Sequence, residues 1–176
     1  MQAEHLGTTL RLRPLEDDDL DAVVALVRST PNYYAAEGFG QHASSKLQLQ
    51  REFVEAEGSP DRALYAIERR ADQTLLGFAD VRLESTMSDT ATIAFLVIGG
   101  PYQQQGYGSE AADLLEHALF AIPEVEFVFA GVSDSSVVGQ RFWQRRGYEF
   151  SGSTTHDPQS SRATLWLAKA RKAVVT

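Results

Sequence analysis

Gln103-Gln104-Gln105-Gly106-Tyr107-Gly108-Ser109 lies between an apolar run, Ile93 to Ile98, and a helical pattern that begins near Gly108. In a strand–loop–helix turn of this kind, successive loop N–H groups converge on one phosphate, and the helix macrodipole adds partial positive charge at the same place. Gly106 and Gly108 carry no side chain, which lets a pyrophosphate approach the backbone closely. The spacing alone is generic; the chain on either side gives it meaning.

Downstream, Ala111, Leu114, Leu115, Ala118 and Ile122 keep helical spacing until Pro123 closes the segment. Val125 to Val132 is a nearly continuous apolar strand, which predicts burial on both faces. Strand, helix, strand is a βαβ crossover, so Thr90–Ile98 and Val125–Val132 are expected to run parallel. Ser133 to Ser136 offer caps for a helix through Arg146, and Gly147 stands where a C′ glycine belongs. Tyr148–Thr155 and Ala163–Ala168 read as a final strand pair, and Lys169–Thr176 as a short basic tail expected to fray.

Upstream, Thr8 to Arg13 alternates and stops at Pro14, the mark of a first strand. Glu16 to Asp19 place negative charge at the start of a helix whose apolar face is Leu20, Val23, Val24 and Val27. Ser29 to Gln41 is irregular and contains Tyr33, Tyr34 and Glu37, which line a pocket or simply pack the loop. A second helix runs from Ser44 or Ser45 to Glu57, with Leu49, Phe53 and Ala56 on one side and Gly58-Ser59-Pro60 ending it. Ala63–Arg69, Thr74–Glu84 and Thr90–Ile98, joined by two polar turns, form an antiparallel meander that runs into the glycine loop.

Length and charge bound the function. One mixed α/β domain of 176 residues, with 43% apolar and 23% charged residues, buries a core without disulfides or metal, and there is no cysteine. No run approaches a membrane span and the N-terminus shows no secretory signal, which together favour a cytoplasmic protein. A net charge of −8 argues against nucleic acid as a partner. The four histidines are scattered, so no metal is implied.

The order of elements, together with Q-x-x-G-x-G at Gln103, Gly106 and Gly108, resembles the GNAT family of acetyl-CoA-dependent N-acetyltransferases, whose loop reads [R/Q]-x-x-G-x-[G/A]. The family's N-x-x-A-x-x-F-Y-x-x-x-G-[F/Y] helix finds its register in Ser136-x-x-Gly139-x-x-Phe142-Trp143-x-x-x-Gly147-Tyr148. The resemblance implies a single GNAT-like domain over residues 1–176 and acetyl-CoA as acyl donor. It implies that Val97, Ile98 and Gly99 pair with the pantetheine arm like an added strand. Gln104, Gln105, Gly106, Tyr107, Gly108 and Ser109 would hold the pyrophosphate and Gln103 would brace the loop. Ser136 stands at the family's Asn position, Phe142 belongs to the same motif, and Arg145 or Arg146 would meet the 3′-phosphate.

Two catalytic positions depart from the family pattern. Trp143 replaces the tyrosine that protonates the leaving thiolate in many relatives, leaving Tyr102, Tyr107, Tyr148, Tyr33, Tyr34 or a water as substitutes. Thr90–Ile98 holds no carboxylate, so Asp80, Glu84 and Glu37 are the candidate bases. The expected reaction is attack of a neutral primary amine, on a small molecule or a peptide, at the thioester. The other reading is an acyl-CoA-binding module without catalysis. A homodimer is compatible with either.

Overall fold

The computed structural model describes residues 3–30, 46–84, 89–156 and 163–172, and in them eight strands join into one sheet. The N-terminal alternation, which predicts one strand from Thr8, instead forms two: β1 (His5–Leu6) and β2 (Leu10–Pro14), folded back on each other by the Gly7 N–H bond to the Leu10 carbonyl. Then come helices α1 (Leu20–Arg28) and α2 (Lys46–Glu57), and the meander β3 (Arg62–Arg69), β4 (Leu75–Leu83) and β5 (Thr90–Ile98). After the glycine loop follow α3 (Tyr107–Phe120), β6 (Phe127–Ser133), α4 (Val137–Arg145), β7 (Glu149–His156) and β8 (Ala163–Ala170). The order across the sheet is β1-β2-β3-β4-β5-β6-β8-β7. Among the described residues only β5 and β6 pair in parallel, as the βαβ reading requires.

Strand alternation sends side chains to two opposite faces, each with its own core. On the rear face Leu12, Tyr65, Ala79, Ile93 and Ala130 meet Ala111, Leu115 and Leu119 of α3 and Trp143 of α4. On the front face Ala66, Phe78 and Val97 meet Val23, Leu26 and Val27 of α1 and Phe53 of α2. Burying one such leucine is worth roughly 1.5–3 kcal/mol, so α1 and α3 are each fixed by at least three residues of the apolar stripe, while α2 and α4 are anchored mainly by one large ring each, Phe53 and Trp143. The side chain of Leu49 and the turn at 85–88 lie outside the described residues.

Three expectations need correcting. β6 is not buried on both faces: Val128, Ala130 and Val132 are buried, Phe127 is exposed, and Phe129 and Gly131 are half-buried, because α1 and α2 cover only the other half of the front face. The basic tail does not fray at Lys169. Lys169 and Ala170 belong to β8, and the Arg171 guanidinium donates to the carbonyls of Phe120, Ile122 and Val125, capping the C-terminal end of α3. Finally, Asp19 serves more than the helix dipole. Burial opposes its charge, but two bonds from Arg13, at 2.6 and 2.7 Å, and one from the Glu16 N–H hold its carboxyl below the usual range.

Candidate active site

β5 and β6 pair only over Thr90–Ile93 against Phe127–Ala130. The cause of their parting lies in β5 itself. Asp80 opposes Phe95 while Val81 opposes Ile93, so Ala94 is an extra residue, a bulge that bends the strand. β6 continues against β8 as far as Ser133, whereas β5 from Ala94 to Ile98 stays with β4. A wedge opens between the two parallel strands, and the glycine loop forms its rim.

The loop is held from below. Gly99 donates to the Leu76 carbonyl at 2.8 Å, and the turn Gly100–Tyr102 packs on the end of α1. A Cβ at Gly100 would sit 2.4 Å from the Ser29 carbonyl oxygen, so only glycine allows that approach. Gln103 ties the loop to the end of β5: its Nε2 donates to the Ile98 carbonyl at 2.8 Å. Gln104 (φ 60°) and Gly106 (φ 89°) are both left-handed, which turns successive N–H groups toward one side. Among the described residues, the amides of Gln104, Gln105, Gly106, Tyr107 and Gly108 donate to no acceptor.

Two details revise the expected nest. The Ser109 amide donates to the Gly106 carbonyl at 3.0 Å, so the run of available amides stops at Gly108. Gly108 has room for a methyl group, since a Cβ there would stand 3.7 Å from Ile98 and from the Phe142 ring. The requirement for glycine is therefore conformational, at Gly106. The first turn of α3 is fixed by Glu110, whose carboxylate accepts from the Thr9 N–H (2.7 Å), the Leu10 N–H (3.0 Å) and the Thr9 hydroxyl. Burial disfavours that charge, yet these bonds keep the Glu110 carboxyl below its ordinary range.

α4 contributes less than the motif implies. Ser136 is buried, and its Oγ accepts from the Gly139 N–H at 3.3 Å, so the side chain serves as the N-cap. Phe142 lies against Gly108 and is well placed at the rim. Arg146 is bound to Asp113 and Glu116, and Arg145 lines a separate groove that none of the loop residues lines. Trp143 turns into the core, its ring 4.8 Å from that of Tyr148. Tyr148 is itself buried, its titration pushed up by burial and then by the nearby Glu116, so neither residue presents an acid to the wedge. Tyr102 and Tyr107 are half-buried against the rear core.

The candidate bases separate clearly. Asp80 faces the front and is 6% exposed; its oxygens accept from Arg62 (3.1 and 2.8 Å) and Arg82 (3.5 and 2.8 Å). Both oxygens are committed, so Asp80 is the centre of an ion cluster and not a free base. Glu84, two pleats further along the same face, is half-buried and accepts from the Thr92 hydroxyl at 2.8 Å, one strand position before β5 and β6 part. Tyr34 and Glu37, with Tyr33, lie outside the described residues.

The sequence matches the acetyltransferase (GNAT) domain model over residues 9–149. The chain belongs to the GNAT acetyltransferase family. The activity that goes with membership is acetyl-CoA-dependent N-acetyl transfer. A comparison with curated protein sequences finds no match. Among solved structures, the GNAT chain is similar to an acetyltransferase from Thermus thermophilus, with 22% identity, coverage of 95% of this chain and 99% of that one, and a TM-score of 0.75. It is similar to a ribosomal-protein-serine acetyltransferase described from Vibrio cholerae, at 20% identity, 96% and 98% coverage and a TM-score of 0.75. It also resembles RimL, a ribosomal L7/L12 alpha-N-protein acetyltransferase solved with coenzyme A, at 13% identity, 96% and 98% coverage and a TM-score of 0.79. These likenesses establish the fold. Among the described residues no helix is long and apolar enough to cross a membrane, and no group of three or more acidic or histidine side chains gathers as a metal site.

Proposed function

We propose that this enzyme acetylates a primary amine at the end of a polypeptide chain. The observation that carries the cofactor half is the run of five amides from Gln104 to Gly108, aimed from a left-handed turn at the start of α3. Those amides fit a pyrophosphate, and Phe142 flanks it. Acetyl-CoA supplies the activated acetyl thioester when bound. Val97 to Gly99, on the stretch of β5 that β6 leaves, would pair with the pantetheine arm as an added strand, and an N–H near Val97 would serve the developing oxyanion.

The amine enters from the front, where α1 and α2 stop short of β6 and β8. Glu84, through a water, takes the proton released as the amine attacks, and a water supplies the proton for the departing thiolate; Tyr34 and Glu37 stay candidates on the sequence alone. Two of the similar structures act, by their descriptions, on ribosomal proteins, which favours a peptide over a small-molecule acceptor. An α-amine titrates near 7.7–8.0, so the rate should rise with pH through that range. A panel of peptides with free N-termini, set against polyamines and aminoglycoside-type amines and read as release of free CoA thiol, tests the assignment. Thiol release confined to the small amines contradicts it. Glu84→Gln should lower kcat by roughly a hundredfold with the KM for acetyl-CoA unchanged.

A further inference from the structure

Away from the wedge, four cations of this acidic chain gather on one groove of about 700 Å³, placed where β6 begins, β8 ends and α4 passes into β7. Phe127, Arg145, Glu149, Phe150, Lys169 and Lys172 line it together with Arg146. Arg146 and Lys169 are already balanced by Asp113 and Glu116 on α3. Arg145 and Lys172 are exposed and make no ion pair among the described residues. Beside them two large rings stand in solvent, Phe127 at 41% and Phe150 at 54% exposure. A surplus of positive charge next to aromatic surface is unusual in a protein of net charge −8.

The combination selects the chemistry of an occupant. Two exposed cations hold a small inorganic anion weakly, because charges in water are screened. A nucleic acid needs several phosphates neutralised at once, and the overall field of the chain repels it. An acidic polypeptide segment with an apolar side chain satisfies both features, placing a carboxylate on Arg145 or Lys172 and a ring on Phe127 or Phe150. β6 gives the distance to the transfer site: its seven residues, Phe127 to Ser133, run from the groove to the wedge, about 20 Å at the usual strand rise.

We infer that this groove docks an acidic segment of the polypeptide acceptor, about six residues from the amine that is acetylated, at roughly 3.3–3.6 Å per extended residue. The inference rests on the proposed polypeptide acceptor, and its test separates the two. The probe is an N-terminally blocked, fluorescein-labelled decapeptide of alternating Glu and Phe, which has no amine to acetylate, followed by anisotropy. It should bind the wild-type enzyme, and the double variant R145E/K172E should weaken binding by about tenfold or more. A decamer of single-stranded RNA, or the same peptide with Lys for Glu, should not bind. Binding that survives the double variant, or RNA binding as tight as the peptide's, overturns the inference.

Turnover supplies the second readout. With an unblocked acidic peptide of about twelve residues, Lys172→Glu and Phe150→Ala should raise the KM for the peptide. A four-residue truncation should show no such change, and the KM for acetyl-CoA should stay constant. A loss of acetyl-CoA affinity in Arg145→Glu returns Arg145 to the cofactor and counts against the groove. If small amines release CoA thiol and the blocked peptide does not bind, the docking groove fails while acetyl transfer stands. If the blocked peptide binds in a charge-dependent way and no amine releases thiol, the groove stands and the proposed function fails.

Discussion

Between Gln103 and Gly108 the chain presents five backbone amides with no acceptor among the described residues, whereas around Asp80 it presents side chains already bound to one another. The first region is made of backbone: a left-handed glycine, a helix start and one bracing amide. The second is made of side chains brought together by strand register, Arg62 from β3 against Asp80 and Arg82 from β4. The difference separates binding from chemistry in this enzyme. A backbone nest depends on a few local residues, and a charged cluster depends on who its neighbours turn out to be.

The largest expected effect breaks the cluster. Asp80→Asn leaves Arg62, 11% exposed, without its buried carboxylate, which should destabilise the fold by about 3 kcal/mol and lower Tm by roughly 10 °C. A general base would behave otherwise: an unchanged Tm with lost turnover would restore Asp80 to catalysis. The next effect breaks the nest. Gly106→Val forces a β-branched residue to φ 89°, so acetyl-CoA affinity should fall by about tenfold or more, the equivalent of 1–2 kcal/mol. Circular dichroism should show the fold retained, because a Cβ at that position meets nothing within 4 Å.

Smaller effects sharpen the contrast. Gln103→Ala removes the bond to Ile98 and should weaken acetyl-CoA binding by about fivefold, the worth of one hydrogen bond near 1 kcal/mol. Glu110 offers a pH readout of the α3 start. Its carboxyl is held below the ordinary value of 4.5, so its contribution to stability is present above that value and is lost as pH falls. Thermal melts between pH 6 and pH 3 should therefore show a drop in Tm that Glu110→Gln reduces. An unchanged pH dependence in the variant would mean that the bonds to Thr9 and Leu10 carry no linkage.

The same contrast explains what the residues revealed before the fold was known. The glycine loop, the parallel pair and the Ser136 cap were legible because each rests on local chemistry: left-handed φ, a strand–helix–strand order, an N-cap oxygen. The bulge at Ala94 was not, because nothing in Ile93-Ala94-Phe95 distinguishes an extra residue from a regular one until β4 is laid beside it. Asp80 read as a candidate base because its two guanidinium partners sit 18 residues before it and two residues after it, a pairing that only the register creates. Arg171 looked like tail for a similar reason. The carbonyls it caps are some 50 residues upstream. Gly100 had a weak signal, two adjacent glycines before Pro101, whose purpose became clear only with Ser29 against it.

Whether the loop amides receive the pyrophosphate is reported directly by the amide chemical shifts of the ¹⁵N-labelled enzyme. On titration with CoA, the amides of Gln104, Gln105, Gly106, Tyr107 and Gly108 should show the largest shifts in the chain, and inorganic pyrophosphate alone should move the same five. Shifts that leave this loop unmoved, or that gather instead around Arg145 and Lys172, would contradict the placement of the cofactor.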